Sequence, residues 1–130
     1  MDLNRFTNKA QDALLKAQQL ANEYGHSSVD PLHILISLMN QRDGVVPEIA
    51  AKIGARPQAL QAELEQVLND RARTYGSNAK AGLSRVASDL LTKAEKEASK
   101  MHDDYVSTEH VLLALAEDSS VGGILKRNGI

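Results

Sequence analysis

The sequence has no cysteine and no tryptophan, and only one phenylalanine and three tyrosines among its 130 residues. Lacking cysteine, it has no disulfide framework and no thiolate metal centre, so a reducing, cytoplasmic setting is expected. With aromatics at 3% and helix formers dominant, an aliphatic helical core is favoured over a sheet. An excess of charge of one sign is also missing: the net charge is −2 with 25% charged residues, and no basic stripe is present. A nucleic-acid or anionic-membrane partner is therefore not expected. The pair Arg71 and Arg73, read as part of a flexible stretch, is too slight a feature to change that.

No run approaches the roughly 20 apolar residues of a membrane span. The opening Met1-Asp2-Leu3-Asn4-Arg5 lacks the blocks of a signal peptide. None of the eight glycines is followed by lysine, so there is no phosphate loop, and no G-x-S-x-G elbow occurs. No catalytic residue, metal or cofactor is expected in this stretch of chain.

What is present is a duplication. Shifting the sequence by 77 residues lays Phe6–Met39 on Leu83–Ala116 without a gap, with ten identities in 34 pairs. The pairs include Leu14/Leu91, Ala17/Ala94, Val29/Val106, His33/His110 and Leu38/Leu115. Beyond that the register slips by two, so that Val46, Ile49, Lys52 and Gly54 meet Val121, Ile124, Arg127 and Gly129, as a turn of different length would produce. The fold class expected is all-α: two pseudo-twofold-related repeats of a short four-helix unit, forming one domain over residues 1–130.

Within each repeat the spacing predicts a first helix with one apolar stripe. The stripe is Phe6, Ala10, Ala13, Leu14, Ala17, Ala21 and Tyr24, stopped by Gly25, and again Leu83, Ala87, Leu90, Leu91, Ala94, Ala98 and Met101. A second, strongly apolar helix follows each, capped by Asp30 ahead of Pro31 and by Ser107 ahead of Thr108. Third helices around 46–53 and 121–127 end at Gly54 and Gly129. A fourth, from Pro57 through Leu60, Leu64, Val67 and Leu68, belongs to the first repeat only, and the chain is expected to be a truncated piece of a longer protein. The boundaries read as repeat one over 1–69, a linker over 70–82 containing Gly76, Ser77, Asn78 and Gly82, and repeat two over 83–130.

The duplicated His33 and His110 are candidate metal ligands, but both stand at the third helical position after a cap. There an imidazole can reach back to the cap residue's amide, and duplication then accounts for the pairing. Asp103, Asp104 and Glu109 form either an acidic patch for a cationic partner group or a solvated loop favouring a helix N-terminus. Thr7 is placed to cap the first helix. Leu15, paired with Thr92, lies off the core stripe and is either incidentally exposed or packs at the seam between repeats.

The motifs Phe6-Thr7-Asn8-Lys9-Ala10, Asp30-Pro31-Leu32-His33-Ile34-Leu35 and Tyr105-Val106-Ser107-Thr108-Glu109-His110-Val111-Leu112, in this order and on a duplicated unit, resemble the N-terminal domain of ClpB-type disaggregase chaperones. The related ClpC and ClpA unfoldases share the double repeat. ClpC-type domains carry Thr-Glu-His in both copies, whereas Pro31-Leu32-His33 in the first copy here looks more like ClpB. The resemblance implies a mobile substrate-capturing appendage of a homo-hexameric ATPase that works with the DnaK system, with ATP and Mg²⁺ bound in modules beyond this stretch. It implies that unfolded or aggregated polypeptide binds through apolar contacts at the repeat seam. The candidate contacts are Thr7, Leu14, Leu90, Leu91, Asp103 and Glu109. Several relatives place aliphatic residues on that groove where this chain has Lys93, Glu97 and His110. An adaptor-docking domain of a ClpC/ClpA-type unfoldase is the alternative.

Overall fold

The computed structural model describes residues 2–73 and 80–130. Part of the expected linker, residues 74–79 with Gly76, Ser77 and Asn78, thus lies outside the described residues. A 3₁₀ turn, Leu3–Arg5, precedes α1 (Asn8–Glu23), β1 (Ser28–Val29), α2 (Pro31–Met39), α3 (Val45–Lys52) and α4 (Pro57–Asp70). Then come β2 (Gly82–Leu83), α5 (Arg85–Lys100), α6 (Thr108–Ala116) and α7 (Gly122–Arg127). Adding 77 to the bounds of α1 and α2 returns those of α5 and α6 residue for residue.

The two-residue register slip lies between Met39/Ala116, which end α2 and α6 on the 77-residue shift, and the buried Val46/Val121, the second residue of α3 and the residue ahead of α7, which are already on the 75-residue shift. Residues 40–44 and 117–121 are connections of equal length, whereas α3 has eight residues and α7 six. The start of α7 is tightly determined. Asp118 accepts hydrogen bonds from the amides of Ser120 and Val121, and a Cβ at Gly122 would stand 2.7 Å from the Ala116 carbonyl oxygen.

The core is built on α2 and α6. All nine residues of α2 are buried, and Leu32, Ile34, Leu35 and Leu38 are each worth about 1.5–3 kcal/mol on leaving water. Against them lie α1 and α5, whose inward faces are largely alanine: Ala10, Ala13, Ala17 and Ala21 on one, Ala87, Ala94 and Ala98 on the other. Small side chains let the helix axes approach at the short end of the usual 8–10 Å range. The ends of the predicted stripes fall away from the core. Phe6 is buried but precedes the helix, while Leu83 and Met101 are exposed.

The caps follow the repeat. Thr7 and Ser84 accept from the amides of Ala10 and Ala87, and Asp30 and Ser107 form capping boxes with His33 and His110. Gly25 ends α1 at φ 69°, and its counterpart His102 ends α5 at φ 58°, the sole non-glycine residue with positive φ among those described. The helix α4 packs on α2 and α7, where Glu63 holds Arg127 and Asn128.

The repeats are stitched by exchanged leaders. The segment entering α1 pairs with the segment entering α6 through the parallel bridge Phe6–Val106, and β2, entering α5, pairs in parallel with β1, entering α2. The stretch expected to be free linker is anchored at both described ends. Arg71 pairs with Asp30 and Arg73 lies 5.3 Å from the Tyr24 ring centre, while Ala81 is bound by α1.

Candidate functional site

Of the six candidate contacts, Thr7 is joined through its backbone to the segment that carries Asp103 and Glu109. Thr7 donates its N–H to Val106 (2.9 Å), and Val106 lies midway in sequence between Asp103 and Glu109. Each of the three already has a local partner. Thr7 caps α1, Glu109 accepts from the Thr108 hydroxyl (3.2 Å), and Asp103 accepts from His110 Nε2 (2.9 Å). Leu90 and Leu91, at 3% and 0% exposure, lie on the same face as Ala87, Ala94 and Ala98 and belong to the core, Leu90 alone reaching a small surface cleft. Leu14 is half-buried and opens onto the seam.

That seam holds an apolar groove of about 410 Å³ between α1, the 3₁₀ turn and the β1–β2 pair. Gln11, Leu14, Leu15 and Gln18 line it from α1, Leu3 from the turn, and Val29 with Ala81–Leu83 from the strands. Leu15 (53% exposed), Leu3 and Leu83 (41%) present aliphatic surface to water, so the leucine off the core stripe is a groove wall. Asp12 is the one charged side chain of this lining. Thr7, Gln11, Leu14 and Gln18 recur at helical spacing, which continues the groove's α1 face toward Thr7 and the Val106 bridge.

The pseudo-twofold axis maps this groove onto a different one. The cleft that overlaps its counterpart on α5 has Thr92 and Glu95 in place of Leu15 and Gln18, with Lys96, Ser99, Lys100 and Arg5 beside them, while Leu91, the counterpart of Leu14, is buried. A larger cleft along α1 and the end of α2 is lined by Lys9, Asp12, Lys16, Glu23, Arg42 and Asp43, charges of both signs, with Leu20 as its one aliphatic side chain. The cleft carrying Leu90 and Lys93 is small. Of these, the β1–β2 groove has the leucine-lined walls that complement an extended apolar segment.

The capping histidines share a geometry and differ in what stands behind them. His33 Nδ1 accepts the Asp30 N–H and His110 Nδ1 the Ser107 N–H, both at 2.9 Å, which leaves the ring proton on Nε2. Nε2 of His110 then donates to Asp103, and Nε2 of His33 to Nδ1 of the buried His26 (2.8 Å). His26 and Asp103 are themselves repeat counterparts. Burial, then His26 and Arg71, lowers His33 to about 4, and burial with Arg71 and Arg73 lowers His26. Among the described residues no group of three His, Cys, Asp or Glu side chains is arranged to hold a metal, and no helix is long and apolar enough to cross a membrane.

Sequence reasoning did not single out Gln11, Gln18 or Leu3, and it assigned Leu83 to the core stripe of α5, whereas the residue precedes that helix and lines the groove. The signal for the groove was present in the Leu15/Thr92 difference, but its other walls come from segments that only the exchanged leaders bring together.

Comparison with known proteins places this geometry in a family. The model of the Clp repeat (R) N-terminal domain matches residues 5–128. Chaperone protein ClpB of Bacillus anthracis is 40% identical over 121 residues, covering 91% of this chain and 14% of that protein. ClpB of Nitratidesulfovibrio vulgaris is 36% identical over 132 residues, covering 98% and 15%. The chain thus spans about one seventh of the length of these relatives. The Hsp104 N-terminal domain from Candida albicans superposes with a TM-score of 0.87 at 26% identity, covering 96% of this chain and 82% of that one. A ClpV N-domain solved in complex with a VipB peptide shares the fold, with a TM-score of 0.75 at 15% identity and coverage of 97% and 80%. The chain belongs to the Clp repeat (R) N-terminal domain family, among the N-domains of ClpB- and Hsp104-type chaperones.

Proposed function

We propose that this domain captures unfolded or aggregated polypeptide for a ClpB-type disaggregase, receiving an extended aliphatic segment in the groove between α1 and the β1–β2 pair. The observation that carries the proposal is the asymmetry of the two seam grooves: Leu14, Leu15 and Leu83 line one, and Thr92, Glu95 and Lys96 the other. A peptide-bound ClpV N-domain of the same fold supports a peptide-receiving role. Catalysis has no part in it. The ATPase ring, its ATP and Mg²⁺, the hexamer and cooperation with DnaK belong on this reading to the parent chaperone.

The physical expectation is weak, releasable binding. Each buried aliphatic side chain contributes about 1.5–3 kcal/mol, and ordering a flexible chain takes back much of that, so affinity of order micromolar or weaker follows. Isothermal titration with a permanently unfolded, leucine-rich polypeptide tests the site. L15S should weaken binding at least fivefold with an unchanged thermal midpoint, while T92A should bind as the wild type does. Equal affinity of L15S and wild type would remove the groove from the account. Binding of a folded adaptor, with no response to the unfolded chain, would replace substrate capture with adaptor docking.

A further inference from the structure

The leaders into α1 and α5 are held alike but finished differently. Ahead of α1, Thr7 N–H donates to Val106 (2.9 Å) and Val106 N–H to Arg5 (2.8 Å); ahead of α5, Ser84 N–H donates to Val29 (3.0 Å). In a parallel ladder the residue between such contacts turns its own N–H and C=O to the opposite side. Those residues are Phe6 and Leu83.

Both groups of Phe6 are satisfied within the chain. Its N–H donates to Leu3 (3.0 Å) and its carbonyl accepts from Gln11 Nε2 (2.9 Å). Neither group of Leu83 has a hydrogen-bond partner among the described residues. The reason is legible in the repeat, since the counterpart of Gln11 is Ser88, whose side chain is two bonds too short to reach. Two residues earlier on the same outward side, Ala81 is gripped from α1. Gln18 Nε2 donates to its carbonyl and Asn22 Oδ1 accepts its N–H, each at 2.8 Å. The outward edge is therefore closed at Ala81 and open at Leu83, where the aliphatic groove begins.

We infer that this open edge receives the client as an added strand. Leu83 N–H and C=O pair with one residue of an extended polypeptide, extending the ladder that already joins the repeats. An aliphatic side chain flanking the paired residue enters the space between Leu3, Leu14 and Leu15. Backbone pairing makes recognition tolerant of sequence, and the groove selects the alternating apolar position. Asp12, the one charge of the lining, favours a lysine or arginine flank over an acidic one. This mode rests on the groove being the capture site.

The test uses the domain and an unstructured, lysine-flanked peptide of alternating leucine and threonine, with a set of versions each N-methylated at a single amide. At saturation, hydrogen exchange at the Leu83 amide should slow at least tenfold. N-methylation should weaken binding about tenfold at one amide and little at its immediate neighbours. S88Q, which supplies the side-chain amide that closes the edge at Phe6, should weaken binding about tenfold with no loss of thermal stability. Amide shifts at Leu14, Leu15 and Gln18 with unchanged Leu83 exchange, and equal binding of all methylated peptides, would overturn strand addition while leaving the groove as the site. No shift at those residues would overturn both. Slowed Leu83 exchange that depends on protein concentration without peptide would assign the edge to a second copy of the chain and likewise overturn the inference.

Discussion

Lowering the pH should loosen the first repeat through the His26–His33 pair, and the geometry sets the size of the effect. His33 Nδ1 is occupied by the Asp30 N–H and its Nε2–H by His26 Nδ1, so a proton added at His33 Nδ1 meets the Asp30 N–H and one added at His26 Nδ1 meets the His33 Nε2–H. Burial, His26 and Arg71 bring His33 from an ordinary 6.5 to about 4. Between those values the unfolded chain binds the proton and the folded one does not, so stability rises with pH across this window. The contribution is complete above about 6.5 and is lost as pH falls toward 4. From pH 7 to pH 5 the loss is about 2 kcal/mol, at about 1.4 kcal/mol per pH unit once the unfolded group is charged. His33→Gln supplies the comparison, because glutamine at the third helical position can still reach back to the cap amide without titrating. Urea unfolding followed by circular dichroism at pH 7 and pH 5 gives the double difference. The wild type should lose about 2 kcal/mol more than the variant on acidification. Parallel losses in the two proteins would refute the reasoning.

His102→Gly, which relieves a left-handed side chain at the end of α5, should raise stability by about 0.5–1 kcal/mol by thermal unfolding, the strain relieved exceeding the added chain entropy. Gly122→Ala places a Cβ 2.7 Å from the Ala116 carbonyl and should cost about 2 kcal/mol or more in the same assay. Thr7→Ala removes the α1 cap and should cost about 1 kcal/mol; a larger loss of peptide affinity than of stability would give Thr7 a contact role as well.

The repeat and its helices were legible in the sequence because caps, glycine stops and alanine stripes act locally. The starts of α2 and α6, and the return of His33 and His110 to their cap amides, followed from residues at most three apart. What lay behind those histidines did not, since seven residues separate them from His26 and Asp103 and only the folded turn brings the rings and carboxylate together. Leu90 and Leu91 are core residues, as their helical spacing with Ala87, Ala94 and Ala98 already implied, so their place among the candidate contacts came from the resemblance and not from the pattern. The two-residue strands carry no periodicity, so the exchanged leaders, and with them the meaning of Gln11 against Ser88, waited for the structure. Leu15 against Thr92 was visible as a break in the duplication, and it falls where the two grooves part in character.

The most direct test of the central claim is the amide shift map of the labelled domain titrated with an unfolded, leucine-rich polypeptide. The account predicts one site, with shifts concentrated at Leu3, Gln11, Leu14, Leu15, Gln18 and Leu83. Shifts centred on Thr92, Glu95 and Lys96, or spread equally over both seam grooves, would contradict it.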